Sequence, residues 1–255
     1  MEQLVSHPAV LFVVVFSLLW LAAIGGIALQ KRRAPLTSEA REDFGVVQGA
    51  TLTLLALIGF SFSMAVGRYD LRKNYEEEEA NAIGTEFIRA ELLPDVETKK
   101  VQSLLKLYLR RRILFYQTRD AHYVAEINST TSELQTQLWA PVKSVAVLQP
   151  TPVTAPVVSG MNDVLNTQGY TQAEWWNRIP SAAWGLMVAI AVSCNMLVGY
   201  GTRSFSRRSA LLLIQPLVVS ISSALIADID SPRGGLIRVV PQNLISLEHS
   251  LTTVP

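Results

Sequence analysis

The stretch TLTLLALIGFSFSMAVGRYDLRKNYEEEE, residues 51–79, decides the fold. Up to Val66 it carries no charge. From Arg68 to Thr85 the chain reads RYDLRKNYEEEEANAIGT, eight charges in eighteen residues. No proline interrupts residues 44–93, so one helix can pass from an apolar medium into water. Fifty residues at a rise of about 1.5 Å each would extend about 75 Å, more than twice the hydrocarbon thickness of a bilayer.

Three further runs resemble the apolar half. Ala9 to Leu29, Ile179 to Tyr200 and Ser209 to Ala227 carry no charge, and neither does Phe44 to Val66. Each is close to the roughly 20 residues a helix needs to cross a bilayer, where a helix satisfies its own backbone. Trp175, Trp176 and Trp184 bracket the start of the third run, Tyr69 follows the second and Tyr200 ends the third, as interfacial anchors do. The chain of 255 residues is 49% hydrophobic and 17% charged, against about 25% charge in soluble domains. The expected class is an all-α membrane protein with four transmembrane helices: spans one and two within 1–67, a helical extramembrane domain over 68–178, spans three and four within 179–230, and a C-terminal tail over 231–255.

The first run is expected to stay in place as a membrane helix. No Lys or Arg precedes it, and Lys31, Arg32 and Arg33 follow it as a stop-transfer cluster. Basic residues near the membrane ends number seven on one side (Lys31, Arg32, Arg33, Arg41, Arg203, Arg207, Arg208) and six on the other (Arg68, Arg72, Lys73, Arg178, Arg233, Arg238). The positive-inside rule therefore does not choose an orientation.

Within the polar insert, Pro94 and Asp95 mark a break and a new helix start. Val101, Leu104, Leu105, Tyr108 and Phe115 then recur at helical spacing, giving one buried stripe. A third helix is expected over Thr131 to Val147, a break at PTPVTAP (150–156), and a fourth helix leading toward Trp175. The insert has few apolar residues for a core of its own, which suggests packing against copies of itself.

Composition excludes several functions. Cys194 is the single cysteine, so no internal disulfide or thiolate cluster can form, and three scattered histidines do not make a metal site. A net charge of +1 gives no general reason to bind nucleic acid. There is no phosphate loop and no nucleophile beside a base, so neither an enzyme nor a cofactor is indicated.

Several groups of residues carry the functional reading. Gly45, Gly49, Ala56, Gly59, Ser63 and Gly67 recur at spacings of three or four on the second span. Such a stripe lets helix backbones approach in lipid, within one subunit or between subunits, and it can also form a pore wall. The four glutamates, Glu76 to Glu79, are expected as solvated and ion-paired faces of the same helix, with at least one turned inward to a neighbour because four consecutive residues cover all sides. An acidic ring in a vestibule is the functional alternative. Asp228 and Asp230 end the fourth span and are expected to pair with Arg68, Arg72 or Arg233, since carboxylates near lipid are costly alone. Arg110, Arg111 and Arg112 read as a solvated helix surface. Pro216 should kink the fourth span, and Ser193 and Asn195 are expected to bond between helices.

GFSFSMAVGRY (59–69), followed by RYD, EANAIGT, RAELLP, RIP, GYGTR and ADIDSPRGG in order, closely resembles a family of mostly bacterial bestrophin-like proteins, distantly similar to the bestrophin anion channels. The match covers about residues 44–250. The resemblance implies a homo-oligomer, expected to be a pentamer, in a cell membrane (a bacterial inner membrane), with membrane lipids and inorganic ions as its other partners. It implies a cytosolic helical domain and anion conduction through a pore lined by Leu52, Ala56, Phe60 and Ser63. Ala56 departs from the family, which has an aromatic there. The acidic run that forms the calcium clasp of animal bestrophins is absent, so calcium gating is not implied. The alternative function is a non-conducting scaffold or sensor that oligomerises through its helical domain.

Overall fold

The computed structural model describes residues 7–32, 38–201 and 205–253; the side chains of 38–48, 50–55, 205–211 and 253 lie outside that description. The described residues form α1 (Pro8–Lys31), α2 (Ser38–Arg89), α3 (Asp95–Gln117), α4 (Ala121–Leu148), α5 (Ala155–Trp176), α6 (Ser181–Tyr200), α7 (Phe205–Asp230) and α8 (Gln242–Thr253). A short 3-10 turn, Ala90–Leu92, ends α2.

The boundaries follow local chemistry. Pro8 sits in the first turn of α1, where its missing N–H costs nothing. Pro94 precedes α3, whose first turn carries Asp95 and Glu97 at the positive end of the helix. Thr98 Oγ1 donates to the carbonyls of Ala90 and Leu93, tying the 3-10 turn to α3. Asp120 caps α4 by accepting from His122 N at 2.8 Å. That cap starts α4 ten residues before the position expected from apolar spacing alone.

The chain divides into two compact units, the boundary falling inside α2. The first holds residues 1–68 and 178–238. Among the described residues, Pro8–Lys31, the apolar part of Ala155–Tyr200 (which is α6, beyond the break at residues 177–180) and Leu212–Asp230 are long and apolar enough to cross a membrane. The expected second span falls on α2, where Gly45 and Leu52 lie outside the described side chains. Glycines make the closest crossing in this unit. A Cβ on Gly26 of α1 would strike the Met196 carbonyl, and one on Gly199 of α6 would strike the Ala23 carbonyl. Ser193 Oγ donates to Ala189 O and Asn195 Nδ2 to Ala191 O, each within α6; the expectation of a bond between helices is corrected for Ser193, which finds the nearer carbonyl one turn back. At the kink residue Pro216, Ser220 Oγ takes up the carbonyl at 2.6 Å.

The second unit holds residues 69–177 and 239–255. It has one continuous core: Ala80 and Ile83 of α2, Ala90 of the 3-10 turn, Val101, Leu105, Tyr108 and Phe115 of α3, Ile127, Leu134 and Leu138 of α4, Val157, Met161 and Val164 of α5, and Leu244 of α8. The expected stripe of α3 is the buried one. A shortage of apolar residues therefore does not drive this unit onto copies of itself. The missing contribution came from α8, which lies in the segment read as a tail and docks against Gly84 through Leu247.

Candidate functional site

α2 presents two faces. Ile58 and Ala65 are buried. On the other side Ala56, Gly59, Phe60, Ser63 and Gly67 are exposed, and Phe60 is 66% exposed. Phe60 and Ile58 stand about 200° apart on a helix. Among the described residues, a Cβ built on Gly49, Gly59 or Gly67 would meet nothing within 4 Å. The small-residue stripe is thus not taken up by the described helices of its own chain.

Beyond the apolar half, the inward stripe continues through Arg72, Glu76, Glu79, Ile83, Glu86 and Ala90, all buried. Four consecutive glutamates cover every side of a helix, so two turn inward and two outward. Glu77 and Glu78 are exposed. That pair forms the solvated face, and the inward turn expected of at least one glutamate is made by two, Glu76 and Glu79. Glu79 pairs with Arg112 of α3 through Nε, with Nη2 at 3.4 Å, and both side chains are fully buried. Glu79 Oε2 also accepts from Tyr116 Oη at 3.3 Å and from Thr171 Oγ1 at 3.4 Å. The Arg112 guanidinium also lies 4.3 Å from the Phe115 ring centre. Burial lowers the tendency of Arg112 to hold its proton, but the charge and hydrogen bond of Glu79, together with Tyr108 and Tyr116, outweigh it and the net direction is up. Burial, reinforced by Glu79, pushes the Tyr116 phenol well up. Glu76 accepts from Asn243 Nδ2 at 2.7 Å and Leu244 N at 2.9 Å. It thereby caps the N-terminus of α8 with a carboxylate from another helix.

The membrane-end cluster is organised around backbone amides. Asp228 Oδ1 accepts from Leu236 N and Oδ2 from Ile237 N, both at 2.7 Å. Gly235 lies so close to Asp228 that a Cβ there would strike its carbonyl. Asp230 accepts from Ile179 N at 3.1 and 3.2 Å, just ahead of α6. Both carboxylates are buried, and each holds a loop at the end of an apolar helix. Arg233 lies half-buried within the loop that Asp228 holds. Arg68 carries a buried Nη1 without a hydrogen-bond partner among the described residues. Arg72, in the second unit, is buried and donates to the carbonyls of Glu174 at 3.4 Å and Asn177 at 3.3 Å.

No protein-family model and no curated protein matches the chain. Solved structures do. A variant of a bacterial bestrophin homologue from Klebsiella pneumoniae superimposes with a TM-score of 0.66 at 12% identity, covering 94% of this chain and 95% of that one. The fold is bestrophin-like. A second variant of the Klebsiella homologue gives 0.65 at 13% identity, and a variant of a protein described as a membrane protein gives 0.62 at 14%, each covering 94% and 97%. The bestrophin-like resemblance read from the motif string therefore extends over nearly the whole chain. At this identity it speaks for the backbone, so the roles of individual side chains rest on their own surroundings.

Within the bestrophin-like frame, residue spacing did not single out Glu76, Glu79 or Arg112 as buried. A signal was present. Arg112 continues the series 101, 105, 108, 115 of α3, and Glu79 continues 58, 65, 72 of α2. Opposite charges on two buried stripes point to a buried pair, but a charge in a charged run is read as exposed by default.

Proposed function

We propose that the chain is one subunit of an oligomeric bestrophin-like ion channel, conducting anions through a pore lined by α2, which supplies the fourth membrane span. The observation that carries this reading is the exposed face of Ala56, Phe60 and Ser63, which in a single chain has no described neighbour to cover it. Repeated around a symmetry axis, that face would give a ring of Phe60 side chains. An apolar collar of this kind gates by dewetting. Leu52 would stand one turn further along the same face beyond Ala56, and Ala56, smaller than the family's aromatic, would leave Phe60 as the narrowest ring. Arg68, Asp228, Asp230 and Arg233 would neutralise one another at the membrane end, where the fixed amide contacts of the two aspartates hold the loops in place.

Current across a planar bilayer containing purified protein tests the reading. Phe60→Ala should widen the collar and raise resting conductance, while Phe62→Ala, about 200° round the helix, should leave it unchanged. Absence of current from well-folded oligomers favours the scaffold reading. A rise with Phe62→Ala alone assigns the pore to the other face.

A further inference from the structure

Glu86 is fully buried on the same stripe as Glu76 and Glu79, but neither of its carboxyl oxygens has a hydrogen-bond partner among the described residues. It faces α5 at Gly160. Oε2 occupies the space that a Cβ on Gly160 would need, and the Arg89 guanidinium closes on the same point while donating to the Pro156 carbonyl at 3.4 Å. Beside this crossing lies a pocket of about 420 Å³, lined by Glu78, Thr85, Arg89, Gly160, Asp163 and Tyr170 among others. Only a glycine on α5 lets the carboxyl lie flat between the helices. An ionised carboxylate without donors is far costlier in such a place than a neutral one.

We propose that Glu86 is a proton-binding site: its neutral carboxyl seals the crossing of α2 over Gly160 of α5, and loss of the proton opens that crossing to the adjacent pocket. The charged groups around it are few. Arg89 and, two turns earlier, Glu78 lie on its own helix, and Asp163 faces it from α5. Lys106 of α3 is turned to the ring of Phe87, 5.4 Å from its centre. Burial raises the carboxyl, Arg89 lowers it and Asp163 raises it, leaving it pushed up to about 8 from an ordinary 4.5. Between those two values the native protein keeps a proton that the unfolded chain has lost. Stability conferred by this group is therefore complete below 4.5, falls as pH rises, and is gone above about 8. Ionised, Glu86 can be solvated only by water from the pocket or by Arg89 drawn off the Pro156 carbonyl. Proton binding here is independent of ion conduction, which the current recordings test separately.

Thermal unfolding of the full chain in detergent, from about pH 5 to about pH 9, reads the site directly. The unfolding midpoint should decline toward pH 8 and level off. Glu86→Gln keeps a neutral group of the same shape and should remove that decline. Asp163→Asn removes a charge that holds the proton on and should move the end of the decline to lower pH. Hydrogen exchange of the α5 amides around Gly160 should accelerate above about pH 8 beyond the intrinsic increase in the unmodified chain, and not in Glu86→Gln. An unchanged decline in Glu86→Gln overturns the proposal, as does an unmoved end-point in Asp163→Asn, which keeps the test open if Glu86→Gln fails to fold.

Discussion

At Glu79 and Arg112 the second unit has committed two full charges to a site without solvent. Removing one partner leaves the other buried and uncompensated, which costs about 3–5 kcal/mol. Arg112→Ala and Glu79→Ala should each lower the unfolding free energy of the detergent-solubilised protein by that much, read from denaturant titration. Replacing both with apolar residues of similar volume should restore most of the loss. Glu77→Ala, two residues away on the exposed side, should stay within about 0.5 kcal/mol. Asp228 makes a second test. Its two oxygens hold the amides of Leu236 and Ile237, and a hydrogen bond to a charged group contributes about 1.5–3 kcal/mol. Asp228→Ala should destabilise more than Asp228→Asn, whose remaining amide oxygen can still accept from one of them, and both more than Glu77→Ala. Equal effects at all three would show that the loop after α7 contributes nothing to stability. Neither environment is written in local sequence. The partner of Glu79 is 33 residues away, and the partners of Asp228 are main-chain groups, which carry no side-chain signature.

Helices read differently, because their signals are local. The helical start at Asp95, the stripe through Val101, Leu105, Tyr108 and Phe115, and the break ahead of α5 all follow from spacing, proline and charge placement, and all are found. Which glycine touches which helix is not local. On the apolar half of α2, Gly49, Gly59 and Gly67 recur along one face yet meet no described residue, whereas Gly26 and Gly199, on helices far apart in sequence, bring α1 and α6 to backbone contact. A methyl at either position would press on main-chain atoms that cannot rotate away, and overpacking of this kind costs about 1–3 kcal/mol. Gly26→Ala and Gly199→Ala should therefore lower the thermal midpoint of the protein in detergent. Gly59→Ala and Gly67→Ala should leave the midpoint of the separated chain unchanged and act only on assembly or current. A loss of subunit stability at Gly59 equal to that at Gly26 would mean that the exposed stripe has a partner within its own chain.

For the molecule as a whole, the question is what covers the outward side of α2. The second unit is closed by its own core once α8 has docked, so the proposed oligomer would have to form through surfaces left open after folding. Those surfaces exist. Gly49, Ala56, Gly59, Phe60, Ser63 and Gly67 face outward along one helix, and Ile88, Val96, Val147 and Leu148 of the second unit are each more than half exposed. Lipid can cover Phe60, but it gains nothing from a row of glycines, whereas a second helix can approach closely along such a row and gain dispersion contacts at every turn. A pore also requires closure, because a face repeated around an axis encloses a channel only in a ring. Native mass measurement in mild detergent should therefore find a closed oligomer, with five copies expected from the bestrophin-like resemblance, and cross-links should join α2 of one copy to α2 of the next. Bulky substitutions at Gly59 or Gly67 should dissociate that ring while leaving each chain folded. A monomer that persists across the concentration series, with α2 accessible to labelling along its whole outward face, would remove the basis for a pore.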